Sequence, residues 1–374
     1  MFRQLALNLI TVTVTLAALS AIAFGVIRSV PPAGGAAVPS IALNETARLI
    51  GVVSDPWQVD RWDDAIGEVD VTMQFSAWGR RSDLGDFLAE AGRQGKVPMV
   101  TWEPWSTANR EPGESDQGRL QARFSNAAIA NGRQDHYVRS VAADVARFEG
   151  PVFIRYAHEM NGWWYPWSHQ PRRYVEAWRH VHDLFEREGA TNAVWVWSAN
   201  TNLFEGARVW RRRLTAYWPG DRYVDWVGST MINFGGVKEH SPGEFLERIA
   251  LLRDFQKPVM VTEANVHWGG RLAWLRKLRR ELARAPWVRA LIWSQAPSLG
   301  GQTLEGIGDM DWSALSDEES AALLRVIGRD ANSPPEDHAP RPVSGRLVAR
   351  PDSSKHTKRP APFKTRLSTG RGTG

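Results

Sequence analysis

Short apolar runs rich in β-branched and aromatic residues alternate with helical stretches eight times along this chain, beginning at Leu49, Val69, Val97, Val152, Ala193, Val224, Val259 and Val288. The runs are nearly continuous rather than alternating, as parallel strands covered on both faces require. The segments between them, such as Tyr137 to Phe148 and Arg271 to Arg284, carry helical spacing. Eight strand–helix units in series predict an α/β fold, a single-domain (β/α)8 TIM barrel, with a doubly wound sheet as the alternative. No P-loop or GxGxxG follows the first run, and no fixed-period repeat exists beyond the alternation itself.

The ends of the chain read differently. Arg3 precedes an uncharged, mostly apolar run from Leu5 to Ile27, followed by Arg28 and a Pro/Gly/Ala stretch from Pro31 to Ser40. Residues 1–30 are therefore expected to be a signal peptide or a membrane anchor, with possible membrane anchoring through residues 5–27. Residues 31–46 form a linker and 47–330 the barrel. From Ala331 the sequence is rich in Pro, Ser, Arg and Lys, so 331–374 is expected to be a basic disordered tail. That tail holds nine Lys or Arg against three acids, which exceeds the net charge of +5 for the whole chain. The body has no basic excess, so no nucleic-acid partner is implied.

The chain has no cysteine, which excludes disulfides, thiolate metal sites and a Cys nucleophile. It has 19 tryptophans, seven of which (Trp102, Trp105, Trp163, Trp164, Trp167, Trp268 and Trp293) stand at or just after the ends of the apolar runs. An indole offers a flat apolar face and one donor, which suits a ligand with apolar faces and hydroxyl edges. The competing reading is ordinary core packing.

A barrel of this kind builds its site at the C-terminal ends of the strands. The fourth run, Pro151 to Trp164, ends on His158, Glu159 and Asn161; the seventh, Pro258 to Asn265, ends on Glu263. Charged groups at the mouth of an apolar strand are costly unless paired or used. Two carboxylates on opposite strands can flank a glycosidic bond, one protonating the leaving oxygen and the other attacking the anomeric carbon, when they stand about 5–5.5 Å apart. Aromatic walls are expected to raise the acid's pKa, and donors and cations to keep the nucleophile ionised. Period-two alternation turns Arg155 into the barrel with Glu263 or Glu103 as its carboxylate partner; a purely structural ion pair is the alternative. The ending Thr101-Trp102-Glu103-Pro104-Trp105 adds a further acid and two indoles.

These stretches carry a resemblance. Gly132 to Tyr137 (GRQDHY), Arg155 to Trp167 (RYAHEMNGWWYPW), Val194 to Asn200 (VWVWSAN), Tyr223 to Gly228 (YVDWVG) and Val261 to Glu263 together resemble glycoside hydrolase family 26, over about residues 48–315. The resemblance implies endo-acting retaining hydrolysis of a polysaccharide, usually β-1,4-mannan, with mixed-linkage β-glucan and β-1,3-xylan as other substrates. It implies Glu159 as general acid/base and Glu263 as nucleophile, with His158 contacting the central sugar, Trp164 stacking on it and Trp293 as the floor of the same subsite. Trp102, Glu103, Asn161, Trp163 and Asn233 join them as expected substrate contacts. No metal and no cofactor is implied. Trp164 and Trp293 are each expected to expose one ring face. The family's Gly-x-Asp-Gly-Tyr-Asn is here Gly228 to Asn233 with Ile232 where a tyrosine would hydrogen-bond the nucleophile, so either Asn233 substitutes or activity is weak. A second reading is thus a weakly active or inactive polysaccharide-binding barrel in an exopolysaccharide synthesis or export assembly.

Two other signals carry less. His158-Glu159 opens like a zinc HExxH motif, but Gly162 holds the second histidine position. The run Arg211 to Arg213 with Arg208 reads better as a solvated helix face than as an anion site.

Overall fold

The computed structural model describes residues 48–54, 63, 69–78, 84–106, 119–233, 239–266 and 270–294. The export or anchor segment, the linker, the tail and Trp268 lie outside the described residues. The eight apolar runs form strands β1 (Leu49–Val53), β2 (Val71–Ala77), β3 (Val97–Glu103), β4 (Val152–Tyr156), β5 (Ala193–Ala199), β6 (Trp226–Asn233), β7 (Val259–Val266) and β8 (Val288–Trp293). Each pairs in parallel with the next, and β1 pairs with β8, which closes the barrel. Between them lie α1 (Leu84–Arg93), α2 (Asn126–Ala130), α3 (Asp135–Arg147), α4 (Pro171–Arg187), α5 (Ala207–Ala216), α6 (Pro242–Ile249) and α7 (Arg271–Ala283). None of the described helices is long and apolar enough to cross a membrane.

Continuous apolarity has its reason in two buried faces. Inward residues at period two (Val71 and Met73, Val97 and Met99, Phe153, Val196, Trp226, Met260, Ala290 and Ile292) fill the barrel. Their neighbours pack outward with residues spaced three and four apart on the helices, such as Tyr174, Ala177, Trp178, Val181 and Phe185 of α4. Space inside is tight: a Cβ on Gly228 would stand 2.5 Å from Thr262 Cγ2, so β6 and β7 approach closely only because that position carries no side chain.

Two strands begin two residues later than the apolar runs do, at Val71 and Trp226. In both cases the intervening residue is an aspartate used as a clamp. The Asp70 carboxylate accepts the Ile50 amide at 2.8 Å, and the Asp225 carboxylate accepts the Trp195 amide at 2.8 Å. Each ties the entry of one strand to its preceding neighbour, and the pleat starts after it.

Candidate active site

Both glutamates lie at the C-terminal end of the barrel because the backbone breaks the regular pleat there. β4 stops at Tyr156, and Ala157 and Glu159 then take left-handed conformations, φ 42° and 52°, uncommon for residues with a Cβ. The Glu159 amide donates to the Ser198 carbonyl at 2.8 Å, which holds this turned segment against β5. On β7 the register with β8 shifts between Val261 and Ala264. Two consecutive side chains consequently face the interior: Thr262 meets Ser198 Oγ at 2.8 Å, and Glu263 reaches Arg155. A bulge re-aims a side chain in this way.

Glu159 is buried and fully engaged by neutral donors. Its Oε1 accepts from Asn200 Nδ2 and from Thr230 Oγ1, both at 2.8 Å, and its Oε2 accepts from Trp164 Nε1 at 3.0 Å. Asn200 is itself aimed by Asn161, whose Oδ1 accepts the Asn200 amide at 2.8 Å and whose Nδ2 donates to the Asn200 carbonyl at 2.9 Å. Strands β4, β5 and β6 thus each contribute to the position of one carboxylate.

Glu263 is held by charge. Arg155, completely buried in the barrel, donates through Nη1 to Glu263 Oε1 and to Thr101 Oγ1, the latter at 3.2 Å. Of the two carboxylates offered by the sequence, Glu263 is therefore the partner of Arg155. Burial nevertheless raises the Glu263 pKa above the ordinary carboxylate value, with Arg155 opposing and the negative charge of Glu159 adding to the rise. The expected division of environments is thus partly reversed: the hydrogen-bond donors gather on Glu159, and desolvation dominates at Glu263.

His158 is buried, its Nε2 3.0 Å from the Tyr165 hydroxyl, and burial together with Arg155 holds its pKa well below the ordinary imidazole value, so it is neutral. Tyr165 stacks on Trp167 at 4.3 Å. Burial, then the charges of Glu103, Glu159 and Glu263, push its phenol well above the usual range, so it stays protonated among three carboxylates. Glu103 accepts from Trp105 Nε1 at 3.1 Å.

The other expected contacts divide. Trp164 is partly exposed with its N–H on Glu159, and Trp163 is 60% exposed. Trp293 is 1% exposed and belongs to the outer apolar cluster with its register partners Val52 and Ala264, so it exposes no ring face. The reason is the pleat: Ile292 points into the barrel, and Trp293 points away from it. Trp102 is also core, packed outward on Trp78, Tyr156 and Phe185 while Thr101 faces inward. Asn161 spends its amide on the Asn200 backbone as a clamp. Asn233 is buried and accepts from the His240 amide at 3.4 Å, and Ile232 lies opposite Asn265 in the register of β6 and β7. Thr230, Asn200 and Tyr165 are the site residues that sequence reading did not single out for a role.

A closed parallel barrel thus carries two buried carboxylates at the ends of strands 4 and 7, flanked by indoles, at the face where barrels of this kind build their sites. Residues 123–294 match the family model for Glycosyl hydrolase family 26. Among curated proteins, Endoglucanase H of Acetivibrio thermocellus is 26% identical over 286 residues, 71% of this chain and 28% of the relative. Beta-1,3-xylanase TXYA of a Vibrio species is 26% identical over 48% of this chain and 36% of its own length. This chain thus spans little more than a third, at most, of the length of these two relatives. The structure of a family 26 β-mannanase from Bacteroides ovatus superposes with a TM-score of 0.53 at 18% identity, covering 67% of this chain and 81% of that one, and shares the fold.

Proposed function

We propose that this chain is an endo-acting retaining β-glycoside hydrolase working by double displacement. The observation that carries the reading is the unequal pair of buried carboxylates, Glu159 held by three neutral donors and Glu263 held by a buried cation. Glu159 protonates the leaving oxygen while Glu263 Oε attacks the anomeric carbon and forms a covalent glycosyl ester. Glu159, now ionised, takes a proton from water, which attacks the same carbon and releases Glu263. Trp164 is placed to stack on the sugar at the point of cleavage, and neutral His158 with protonated Tyr165 offers a hydroxyl-binding pair beside it.

The substrate class is a β-linked polysaccharide. The relatives' names speak of endoglucanase and β-1,3-xylanase, and the structural neighbour's of β-mannanase. We place β-1,4-mannan first, with the other two as alternatives. The run Leu5 to Ile27 supports export, either as a released protein or anchored facing outside the cytoplasm. One feature favours the second reading, a weakly active glycan-binding barrel: Ile232 brings no donor to Glu263 where the family pattern has a tyrosine.

The test is incubation with β-1,4-mannan, mixed-linkage β-glucan and β-1,3-xylan. Release of reducing ends is followed together with the anomeric configuration of the first products by proton NMR. New ends of retained β-configuration are expected. Inverted products would overturn the double-displacement mechanism, and no release from any polymer would leave the binding-barrel reading in its place.

A further inference from the structure

Among the described residues, the exposed large hydrophobic side chains are Trp163, Phe204 and Val209, at 60%, 81% and 42% exposure. Single exposed apolar residues are common on any protein. These three all lie on the two consecutive segments that leave β4 and β5 at the C-terminal end of the barrel. Trp163 stands edge-on to Trp164, whose N–H is on Glu159. Asn200, which donates to Glu159, opens the loop that carries Phe204.

The loop is pinned. Arg248, buried on α6, donates to the carbonyls of Asn202 and Glu205, the second at 2.7 Å. Asn202 Oδ1 accepts the Phe204 amide at 3.0 Å, and the Phe204 ring meets His240 edge-on at 5.4 Å. Arg213 of α5 then crosses between the two segments, 3.3 Å from the Asn161 carbonyl and 2.8 Å from Glu205 in an ion pair. Val209, one helical turn before Arg213, shares its helix face. An exposed phenyl ring on a braced loop is a preorganised surface, and ordering costs on binding are correspondingly small.

We propose that Trp163, Phe204 and Val209 form a ledge that receives sugars of a β-glycan chain outside the point of cleavage. The ledge rests on the reading of this barrel as a glycan hydrolase, whose polymeric substrate must continue past Glu159. Pyranose rings present flat C–H faces that match aromatic rings, and their hydroxyl edges match the half-exposed Arg213 guanidinium between them.

The experiment uses the full chain with Glu159→Gln, which binds without turning over, in gels containing soluble β-1,4-mannan, mixed-linkage β-glucan or β-1,3-xylan. At least one polymer is expected to retard the parent. Adding Phe204→Ala is expected to weaken that retention on the order of tenfold, the effect of losing one anchoring aromatic. Adding Arg208→Ala, an exposed position on α5 with no ion pair among the described residues, controls for nonspecific damage and is expected to change nothing. In the active chain, Phe204→Ala is expected to raise KM on the polymer at least several-fold more than on a disaccharide glycoside. Parental retention and parental KM in Phe204→Ala would overturn the ledge while leaving the hydrolase reading intact. Retention lost with Phe204→Ala, in a chain that cleaves none of the polymers, would uphold the ledge and overturn the hydrolase reading. A parent retarded by none of the three polymers would overturn the ledge.

Discussion

Thr230 Oγ1 donates to Glu159 Oε1 at 2.8 Å, so a hydroxyl on β6 orients the carboxylate that leaves β4. In the family pattern noted above this position is an aspartate, which would face Glu159 as a like charge; threonine makes it a donor. Thr230→Val keeps the shape and removes the donor. We expect a fall in kcat of about tenfold on polymers, a fraction of what acid–base assistance contributes, and a smaller fall on aryl glycosides that leave without protonation. Thr230→Ser should restore most of the loss. Equal losses on both substrate types, with no rescue by serine, would show that Thr230 only packs.

Glu159→Ala should cripple substrates with poor leaving groups far more than activated aryl glycosides, and azide should restore turnover of the latter by attacking the glycosyl ester without base assistance. Glu263→Ala should remove turnover of both, since no ester can form. Steady-state kinetics with and without azide separate the two roles; equal loss in Glu159→Ala without azide rescue would remove it as the acid/base.

Removing Glu263 also strands Arg155. The guanidinium is completely buried, and its Nε and Nη2 have no hydrogen-bond partner among the described residues. Taking away the carboxylate it is paired with should cost about 3–5 kcal/mol of stability, the usual cost of breaking a buried pair. Glu263→Gln keeps an acceptor and should cost less, and a double replacement of Arg155 and Glu263 by methionine should recover part of the loss. Urea denaturation of the three variants tests the order.

The eight strands were legible because nearly continuous apolar runs recur eight times, and period-two alternation turned Arg155 into the barrel, with Glu263 and Glu103 both open as its partner. The same rule, applied strictly, places Trp102 outside the barrel once Thr101 and Glu103 face inward, and Trp293 outside once Ile292 faces inward. The resemblance suggested otherwise for Trp293. Glu263 is inward for a reason no residue pattern announces, a bulge that turns two neighbours the same way. Asn200 and Thr230 escaped notice because short polar side chains in apolar runs carry no chemistry of their own; their role exists only once three strands converge.

The raised pKa of Glu263 has a defined sign for activity. The nucleophile must be ionised, so the acidic limb of kcat/KM should lie above the roughly 4.3 of an ordinary glutamate. Arg155 pulls in the opposite direction to burial. Replacing it by methionine should therefore move that limb to higher pH, and a limb that moves down or stays would contradict the assignment. By linkage, a folded-state pKa raised above the unfolded value gives Glu263 a stabilising contribution that is complete below the unfolded pKa. That contribution is lost as pH rises through the folded one.

The left-handed residues Ala157 and Glu159 have a consequence for how this molecule fails on heating. A carboxylate that leaves its strand in an unfavourable backbone conformation keeps its place only while β5 and β6 supply the Ser198 carbonyl, Asn200 and Thr230. Local loosening of either neighbour would let residues 157–159 relax while most of the barrel stays closed. Heat inactivation should then run ahead of the loss of far-ultraviolet ellipticity, with full activity returning on cooling from temperatures below the main melting transition.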